Sequence, residues 1–326
     1  MNVSQTPKSV FITGIAGFIG FHLARALHAR GDKVIGCDNF NDYYDPNLKR
    51  NRAAILKKEG IDVLTIDIRD TTSIEKLFNN TKFSHIVHLA AQAGVRYCLT
   101  HPNAYVESNL EGFVKMLEIA RKFGALPFIY ASSSSVYGMN KKIPFSEDDA
   151  TENPSNFYGA TKKSNELIAR SYHNLYNIPV TGLRFFTVYG PWGRPDMAYF
   201  SFTNALMKEE KISLFDHGKM RRDFTYIDDI IRGTLSAIDL SAKDEIFNLG
   251  HNSPHEVRDL VRELELATGK KALFNHFPMQ PGEVPVTFAD ITKSQKILRF
   301  NPQISLKEGI NHFVSWYKNY YLNEKN

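Results

Sequence analysis

The feature that most constrains the fold is an alternation of short apolar segments with segments of helical periodicity through the first 190 residues. The apolar segments are typical of buried strands and lie at 9–13, 33–38, 63–68, 85–91, 128–133 and 180–190. Between them, helices are predicted at 18–30, 108–121 and 156–176. A further helix is predicted to begin at a capping box formed by Thr72 and Glu75. This order favours an α/β fold with a doubly wound parallel sheet of the Rossmann type.

The pattern loosens after Gly190, where turn formers and short strands are irregularly spaced and helices are predicted only at 260–268 and 310–321. We therefore expect a dinucleotide-binding domain at 1–189 and a smaller mixed α/β C-terminal substrate domain at 190–326. Segments near 224–250 are expected to return to the first domain.

Composition excludes several classes of protein. Forty Lys and Arg against 35 Asp and Glu give a net charge of +5, but the densest basic runs, at 49–52 and 219–222, are short, so nucleic acid is not an expected partner. Cys37 and Cys98 are the only cysteines, which favours a reducing compartment. The N-terminus lacks the pattern of a signal peptide and no apolar run reaches about 18 residues, so we expect a cytoplasmic protein without a membrane partner.

A glycine pattern between the first strand and the first helix indicates a dinucleotide site. Gly14, Gly17 and Gly20 follow a GxxGxxG spacing, which permits a tight turn and a close approach of the backbone to a pyrophosphate. Asp38 ends the second strand, 18 residues after Gly20, where a carboxylate accepts ribose hydroxyls and repels a 2′-phosphate, so NAD is favoured over NADP. The alternatives are a ligand-free turn and an ordinary loop acid.

Tyr158 and Lys162 share one face of a predicted helix, because they are four residues apart. A neighbouring cation favours the phenolate, and lowering a tyrosine pKa from about 10 to about 7 takes about 4 kcal/mol. Such a pair also occurs often on solvated helix faces, so its weight comes from the glycine loop and from a hydroxyl donor nearby.

The stretch YASSSSVYG, residues 130–138, supplies that donor. Four serines in a row also occur in flexible linkers, but here an apolar strand leads into them. Because the carboxyl end of a parallel strand opens onto the ligand crevice, the strand is predicted to deliver Ser132 to Ser135 to a substrate.

Together, TGxxGxxG, HLAAQAGVRY at 88–97, SSSSVYG and YxxxK resemble the extended short-chain dehydrogenase/reductases, specifically the nucleotide-sugar epimerases. The resemblance covers essentially the whole chain. It is closest to the UDP-glucuronate 4-epimerase group, on residues 38–50, 90–97, 184–198 and 279–290.

The serine run separates the reactions of that family. Related 4,6-dehydratases carry Thr-Asp-Glu in place of Ser133, Ser134 and Ser135, and UDP-glucuronate decarboxylases carry a Glu in place of Ser135. This chain keeps a hydroxyl at Ser133 and lacks the acids. The resemblance therefore implies epimerisation without elimination.

The resemblance also implies residue roles. Tyr158 would take the 4-hydroxyl proton, Ser133 would hydrogen-bond the reacting oxygen, and Lys162 would hold the nicotinamide ribose. The cofactor-binding positions would be Gly14, Gly17, Phe18, Ile19, Gly20, Asp38, Asn39, Asp67, Ile68, Ala90, Ala91, Gln92, Asn109, Tyr158 and Lys162. The substrate-binding positions would be Arg96, Ser133, Ser134, Ser135, Thr187, Arg194, Phe215, Arg222 and Gln280.

Three of these positions carry more specific expectations. Arg194, in GPWGRPD, is a candidate clamp for a uronate carboxylate, with an exposed loop arginine as the alternative. Arg222 matches a pyrophosphate-binding arginine, and Phe215 would flank the uracil. Glu283 departs from the family's usual Asp, and its role stays open.

Other readings remain open at this point: a neutral UDP-hexose or UDP-N-acetylhexosamine 4-epimerase, a UDP-glucuronate decarboxylase, or a non-catalytic NAD sensor. We expect no catalytic metal, because the 11 histidines form no metal-ligand spacing. The resemblance suggests a homodimer packed through the helices at 108–121 and 156–176.

Overall fold

A computed structural model describes residues 6–279 and 284–322. The chain forms two compact units. The first contains the chain up to Ser133, Phe157–Arg184 and Thr234–Phe247; the second contains Ser134–Asn156, Phe185–Gly233 and the chain from Asn248 onward.

The strands are, in chain order, β1 (Ser9–Thr13), β2 (Lys33–Asp38), β3 (Asp62–Thr65), β4 (His85–His88), β5 (Phe128–Ser133), β6 (Val180–Phe185), β7 (Thr187–Tyr189), β8 (Lys211–Phe215), β9 (Arg221–Tyr226), β10 (Asp244–Leu249), β11 (Pro254–Glu256), β12 (Leu273–Phe277) and β13 (Val286–Thr287).

The α-helices are α1 (Phe18–Ala29), α2 (Pro46–Lys58), α3 (Thr71–Asn80), α4 (Pro102–Tyr105), α5 (Gly112–Lys122), α6 (Phe157–Tyr176), α7 (Ala198–Lys208), α8 (Ile227–Leu240), α9 (Val257–Thr268), α10 (Thr292–Leu298) and α11 (Leu306–Tyr321). A π-helical segment, Val106–Glu111, joins α4 to α5.

The first unit is built on a seven-stranded sheet of order β10-β6-β5-β4-β1-β2-β3. Strand β1 pairs in parallel with β2 and β4, β2 with β3, and β4 with β5. Strands β2 and β3 are added in turn on one side of β1, and β4 is then added on the other side of β1. The strand order therefore reverses between β1 and β4, and ligands of such sheets bind outside the carboxyl ends of the strands at this reversal. The predicted Rossmann-type α/β fold is confirmed.

Aromatic and branched apolar side chains fill the layer between this sheet and its helices. Phe11 on β1 packs edge-on against Phe78 of α3, with ring centroids 5.1 Å apart, and Phe113 of α5 meets Tyr130 of β5 at 5.3 Å. Burial of such large side chains makes truncation costly, at about 3–5 kcal/mol for a Phe→Ala change. This core holds the carboxyl ends of the strands in place.

Three places in the chain differ from the sequence-based expectation. Helix α2 was not predicted, although Asp45 caps it, accepting from the Asn47 amide, and Pro46 starts it. The predicted Thr72–Glu75 capping box is wrong, because Asp70 caps α3 through the Ser73 amide. The predicted strand at 180–190 divides into β6 and β7.

The second unit is organised around β9. This strand pairs with β7, β11 and β13, while β8 and β12 form a separate parallel pair. Asp223 on β9 is buried and accepts backbone hydrogen bonds from His251 (2.6 Å), Ala289 (3.0 Å) and Asn252 (3.1 Å). One buried carboxylate thus ties β9 to two distant loops. Helices α7, α8 and α10 of the chain were not predicted.

Candidate active site

The loop after β1 is a backbone cradle that only glycine can form. The Gly14 and Ile15 amides both donate to the Cys37 carbonyl, at 2.7 and 3.2 Å, and Gly14 has φ +70°. A β-carbon would lie 2.8 Å from the Ala90 nitrogen at Gly14 and 2.2 Å from the Gly14 oxygen at Gly20. Helix α1 starts next to this loop with no side-chain cap and no acidic residue in its first turn. Its amides are suited to an anion such as a pyrophosphate.

A buried amide beyond β4 also fits a bound dinucleotide. The backbone of Gln92 is held on both sides by Asn109, whose Oδ1 accepts from the Gln92 amide at 2.8 Å and whose Nδ2 donates to the Gln92 oxygen at 3.0 Å. The Gln92 Nε2 atom is buried and has no hydrogen-bond partner within the described chain. Because an unsatisfied buried donor is costly, this amide is suited to a ligand acceptor. The glycine loop, Gln92 and Asn109 therefore fit a bound NAD.

Asp38 ends β2 and is buried close to the cradle. Burial raises the pKa of its carboxyl, while the Phe40 amide (2.9 Å) and the cations of Lys49 and Arg52 oppose that rise. Its position supports hydrogen bonding to a ribose diol, as the sequence predicted.

Two buried cations of α2 were missed by sequence reasoning, which saw only a short basic run. Arg52 donates from Nη1 to the Ala16 carbonyl (3.0 Å) and to the Tyr44 hydroxyl (2.9 Å), and Lys49 donates to the Asn41 carbonyl (2.8 Å). Arg52 thus braces the glycine loop directly. The Asp45-Pro46 helix start could have revealed that these side chains share one face.

The predicted adenine contacts lie together beyond β3. Asn39 donates to the Asp67 carboxylate at 2.9 Å, and Arg69 donates to it from Nε at 3.0 Å. Burial alone would raise the pKa of Asp67, but the hydrogen bonds from Arg69 and Asn39 outweigh it and lower the pKa to about 2. Ile68 is buried against Gly112, where a β-carbon would come within 2.3 Å of the Ile68 Cδ1 atom.

Tyr158 and Lys162 lie one turn apart on α6, as predicted. Tyr158 is half-buried with its ring 6.1 Å from that of Tyr105, edge-on. Lys162 is buried and donates from Nζ to the Ala131 carbonyl on β5 at 2.8 Å. Burial lowers the pKa of Lys162 to about 8. A lysine cation is therefore held against the strand that ends at Ser133.

The prediction that Ser132 reaches the substrate is wrong. Ser132 is buried and donates from Oγ to Glu166 at 2.7 Å. Glu166 also accepts two hydrogen bonds from Arg184, from Nε at 2.8 Å and Nη2 at 2.9 Å. Successive residues of a strand point to opposite faces, so Ser132 anchors β5 to α6 while Ser133 takes the other direction.

The remaining substrate candidates occupy defined positions. In the first unit, Arg96 is exposed just before the short helical turn Tyr97–Leu99. In the second unit, Ser134 and Ser135 open the 3₁₀ turn Ser134–Tyr137, and Thr187 starts β7. Gln280 and Glu283 lie outside the described residues.

Phe215 and Arg222 lie on separate strands of the second unit. Phe215 ends β8 with its ring 5.4 Å from that of Phe277 on β12. Arg222 on β9 donates to the Arg221 carbonyl at 2.9 Å and to the Pro285 carbonyl at 3.3 Å. Their predicted contacts with a UDP group stay predictions.

Arg194 already holds a carboxylate of its own loop. It donates from Nε to Asp196 Oδ1 at 3.0 Å and from Nη2 to Asp196 Oδ2 at 2.5 Å. This bidentate geometry is the one that a guanidinium uses to recognise a carboxylate. Asp196 thus occupies the Nε–Nη2 edge of Arg194, and the predicted contact of Arg194 with a uronate carboxylate stays a prediction.

Comparison with known proteins decides the family. Residues 10–250 match the family described as "NAD dependent epimerase/dehydratase family". The chain belongs to this family.

The family contains close relatives of known name. The chain is 50% identical to UDP-glucuronate 4-epimerase 4 of Arabidopsis thaliana, over 97% of this chain and 77% of the relative. It is 43% identical to the protein CapI of Staphylococcus aureus, over 96% of this chain and 99% of CapI.

Solved structures of the family share the whole fold. UDP-glucuronic acid 4-epimerase from Bacillus cereus, in complex with UDP-glucuronic acid and NAD, is 35% identical with a TM-score of 0.89, covering 96% of this chain and 100% of that one. UDP-glucose 4-epimerase from Thermotoga maritima, with UDP-glucose, is 30% identical with a TM-score of 0.86, covering 96% and 99%. The predicted epimerase resemblance and the NAD cofactor are confirmed.

Two kinds of feature are absent from the part of the chain that the structure describes. Within 6–279 and 284–322, no helix combines the length and apolarity needed to cross a membrane. In the same residues, no cluster of three or more His, Cys, Asp or Glu side chains is arranged to hold a metal ion.

Proposed function

We propose that the protein is a UDP-glucuronate 4-epimerase, which interconverts UDP-glucuronate and UDP-galacturonate. The observation that carries the proposal is the end of β5, where Ser133 follows the buried Ser132 anchor beside the Lys162 cation and no carboxylate replaces Ser134 or Ser135. A hydroxyl and a cation suit oxidation of a sugar alcohol. The missing acids argue against elimination of water. The names of the relatives support the uronate.

Tyr158 is the proposed general base, which takes the proton of the sugar's 4-hydroxyl. NAD, when bound, supplies the redox partner for carbon 4. Lys162 has a pKa near 8 and therefore carries a positive charge at neutral pH, which favours the Tyr158 phenolate. Ser133 would hydrogen-bond the reacting oxygen and hold it in line with Tyr158.

The uronate adds a hazard that the chain must suppress. Once carbon 4 is a ketone, the sugar is a β-keto acid and can lose its carboxyl group as CO₂. We assign Arg194 to hold that carboxylate, because a guanidinium can grip a carboxylate at two atoms, its side chain is 23% exposed, and the pair with Asp196 uses the Nε–Nη2 edge rather than Nη1. Ser134, Ser135 and Thr187 are the proposed additional hydroxyl donors.

The nucleotide half of the substrate is assigned to the second unit. Arg222 is the proposed pyrophosphate ligand, Phe215 the neighbour of the uracil, and Gln280 and Arg96 further contacts. An epimerase of neutral UDP-sugars is the second candidate, because a UDP-glucose 4-epimerase is among the structural relatives.

We also propose that the protein acts as a homodimer in the cytoplasm. Large apolar side chains of the first unit are exposed, among them Leu167 (59%) and Leu175 (66%) on α6 and Leu99 (77%). The two exposed leucines on α6 support pairing of this helix with a second copy. Light scattering should give twice the 37.1 kDa mass of the chain, and a single-chain mass would contradict the dimer. Cys37 and Cys98 are both buried thiols, which fits a reducing compartment.

The direct test is an NMR time course of the purified protein with UDP-glucuronate and, separately, with UDP-glucose, without added NAD. The proposal predicts UDP-galacturonate from the first and no product from the second. Tyr158→Phe should abolish turnover, and Tyr176→Phe, an exposed tyrosine of the same helix, should not. Conversion of UDP-glucose alone would establish the second candidate instead.

A further inference from the structure

The loop that carries Arg194 is fixed on one side by an aromatic cluster. Trp192 adopts a left-handed backbone conformation, φ +60°, and places its ring 5.2 Å from Trp316 and 4.9 Å from Tyr320, both on α11. Trp316 and Tyr320 stack on each other at 5.4 Å. A bulky residue in this backbone conformation is strained, and contacts of this kind are what hold it there.

The next residue leaves no room for the loop to shift. A β-carbon on Gly193 would lie 1.7 Å from the hydroxyl oxygen of Tyr199, which is fully buried. The loop then turns at Arg194, whose carbonyl accepts from the Met197 amide at 3.2 Å. The backbone of Arg194 is therefore held between a ring cluster and a helix.

The side chain of Arg194 is fixed by Asp196. The two hydrogen bonds, at 3.0 and 2.5 Å, engage the Nε and Nη2 atoms and so define the plane and direction of the guanidinium. Both side chains are about one-quarter exposed, at 23% and 28%, so a ligand can approach the pair. A surface ion pair of this size contributes little to stability.

The direction of this guanidinium matters to a 4-keto uronate. Loss of CO₂ breaks the bond between carbons 5 and 6, and its electron pair forms an enolate across carbons 4 and 5, which later takes a proton at carbon 5. This requires the breaking bond to align with the π system of the ketone. A guanidinium that holds the carboxylate with the bond between carbons 5 and 6 near the plane of the ketone would keep that bond out of the reactive alignment.

We propose that Asp196 is a positioning residue for Arg194 and that it decides between epimerisation and loss of CO₂. The inference rests on the proposed function, in which Arg194 holds the substrate carboxylate. Asp196 itself needs no contact with the substrate. Its effect is to keep the guanidinium from following the carboxylate into the reactive alignment.

The test compares Asp196→Asn with wild-type protein on UDP-glucuronate carrying ¹³C at carbon 6. The readout is the ratio of released ¹³CO₂ to UDP-galacturonate. Because a ratio of products does not depend on how much protein is folded, a purely structural defect would not change it. Loss of one charge-assisted bond to Arg194 should raise the ratio by about tenfold or more, which corresponds to about 1.4 kcal/mol.

Two further variants complete the design. Trp192→Phe loosens the loop without touching the ion pair and should raise the ratio in the same direction. Glu209→Gln removes the carboxylate of an exposed pair with Lys270 in the same unit and should leave the ratio unchanged.

The outcomes separate this inference from the proposed function. If Arg194→Lys raises the ratio and Asp196→Asn does not, Asp196 is not a positioning residue and the assignment of Arg194 stands. If neither variant raises the ratio, the assignment of Arg194 fails and the inference fails with it. If wild-type protein does not convert UDP-glucuronate, both the proposed function and the inference are overturned.

Discussion

At the scale of single residues, the charge of Lys162 limits the proposed chemistry. Burial lowers the pKa of this lysine to about 8, so the cation is lost as the pH rises through that value. Without it the Tyr158 phenolate loses its stabilising neighbour. We therefore predict that kcat/KM falls on the alkaline side with an apparent pKa near 8, which a pH–rate profile from roughly pH 6 to pH 10 measures.

The control for this profile is Lys115→Arg. Lys115 is a partly exposed lysine of α5 that pairs with Glu111, so the variant should show the same fall on the alkaline side as the wild-type protein. A limb at the ordinary lysine value, about 10.4, would contradict the burial of Lys162 as the cause.

Glu166 connects β5 to α6, because it accepts hydrogen bonds from both Ser132 and Arg184. It pairs with Arg184 inside the first unit, and both side chains are only 2% exposed. Glu166→Ala would leave the Arg184 charge buried without its carboxylate, so the free energy of unfolding should fall by about 3–5 kcal/mol. Urea denaturation measures this.

The matched comparison is Glu118→Ala, which breaks an exposed pair with Arg121 on α5 and should cost about 1 kcal/mol or less. Equal losses from the two variants would show that burial of the Glu166–Arg184 pair does not matter.

Residue identities were predictable only where a motif fixes direction as well as position. Gly14 and Asp38 follow from spacing along a strand–turn–helix–strand unit, and Lys162 follows from its four-residue spacing to Tyr158 on one helix. Ser132 did not, because the direction of a strand side chain depends on which face its neighbours bury. The burial of Arg52 could not be predicted, because a buried arginine and a solvated one look alike in sequence.

At the scale of elements, the first turn of α1 should tolerate no side chain at Gly20, where it packs against the loop after β1. In Gly20→Ala, the β-carbon would lie 2.2 Å from the Gly14 oxygen, so the loop must move away from the form proposed to bind a pyrophosphate. We predict that the purified variant retains little NAD, as measured by the absorbance of cofactor released on denaturation.

Gly31→Ala tests whether this loss is local. Gly31 lies just after the C-terminal end of α1 and has a positive φ of +95°. Nothing lies within 4 Å of its β-carbon position. It should lose about 1 kcal/mol of stability and keep its NAD. Full NAD content in Gly20→Ala would contradict the cradle.

Strand β4 makes the first unit sensitive to acid. Burial is the main cause that lowers the pKa of His85 to about 4 and of His88 to about 3. Both values lie below the value of about 6.5 in an unfolded chain, so below that pH the unfolded state binds protons that the folded state does not. Stability should therefore fall as the pH drops from 6.5 towards 4, by about 1.4 kcal/mol per pH unit for each histidine.

Urea denaturation of His88→Gln at several pH values tests this. The variant should lose one histidine's share of the slope, whereas His101→Gln, at an exposed loop position, should not. Identical slopes in wild type and His88→Gln would rule His88 out as a source of acid sensitivity.

Element boundaries were predictable where capping and periodicity agree. Helix α6 and strand β5 match the prediction to within a residue. Helix α3 starts earlier than predicted, because Asp70 precedes the Thr72–Glu75 pattern and caps the helix first. The continuous apolar segment at 180–190 contains two strands of different sheets, because β6 joins the seven-stranded sheet and β7 pairs with β9. No local sequence pattern marks this change.

At the scale of the whole molecule, the first unit was predictable and the second was not. Most successive strands of the first unit are neighbours in its sheet, the step from β3 to β4 being the exception, so alternation reveals the sheet. The second unit assembles β9 with β7, β11 and β13, which come from three separate stretches of sequence. Pairings of this kind depend on tertiary packing rather than on local periodicity.

The central claim is that carbon 4 of a UDP-uronate is oxidised and then reduced within one active site, while the rest of the sugar is untouched. Running the reaction with UDP-glucuronate in D₂O, without added NAD, tests this directly by proton NMR. We expect UDP-galacturonate that keeps ordinary hydrogen at carbons 4 and 5. Deuterium at either carbon would mean that the hydrogen passes through solvent, and it would contradict the mechanism assigned to Tyr158, Lys162 and Ser133.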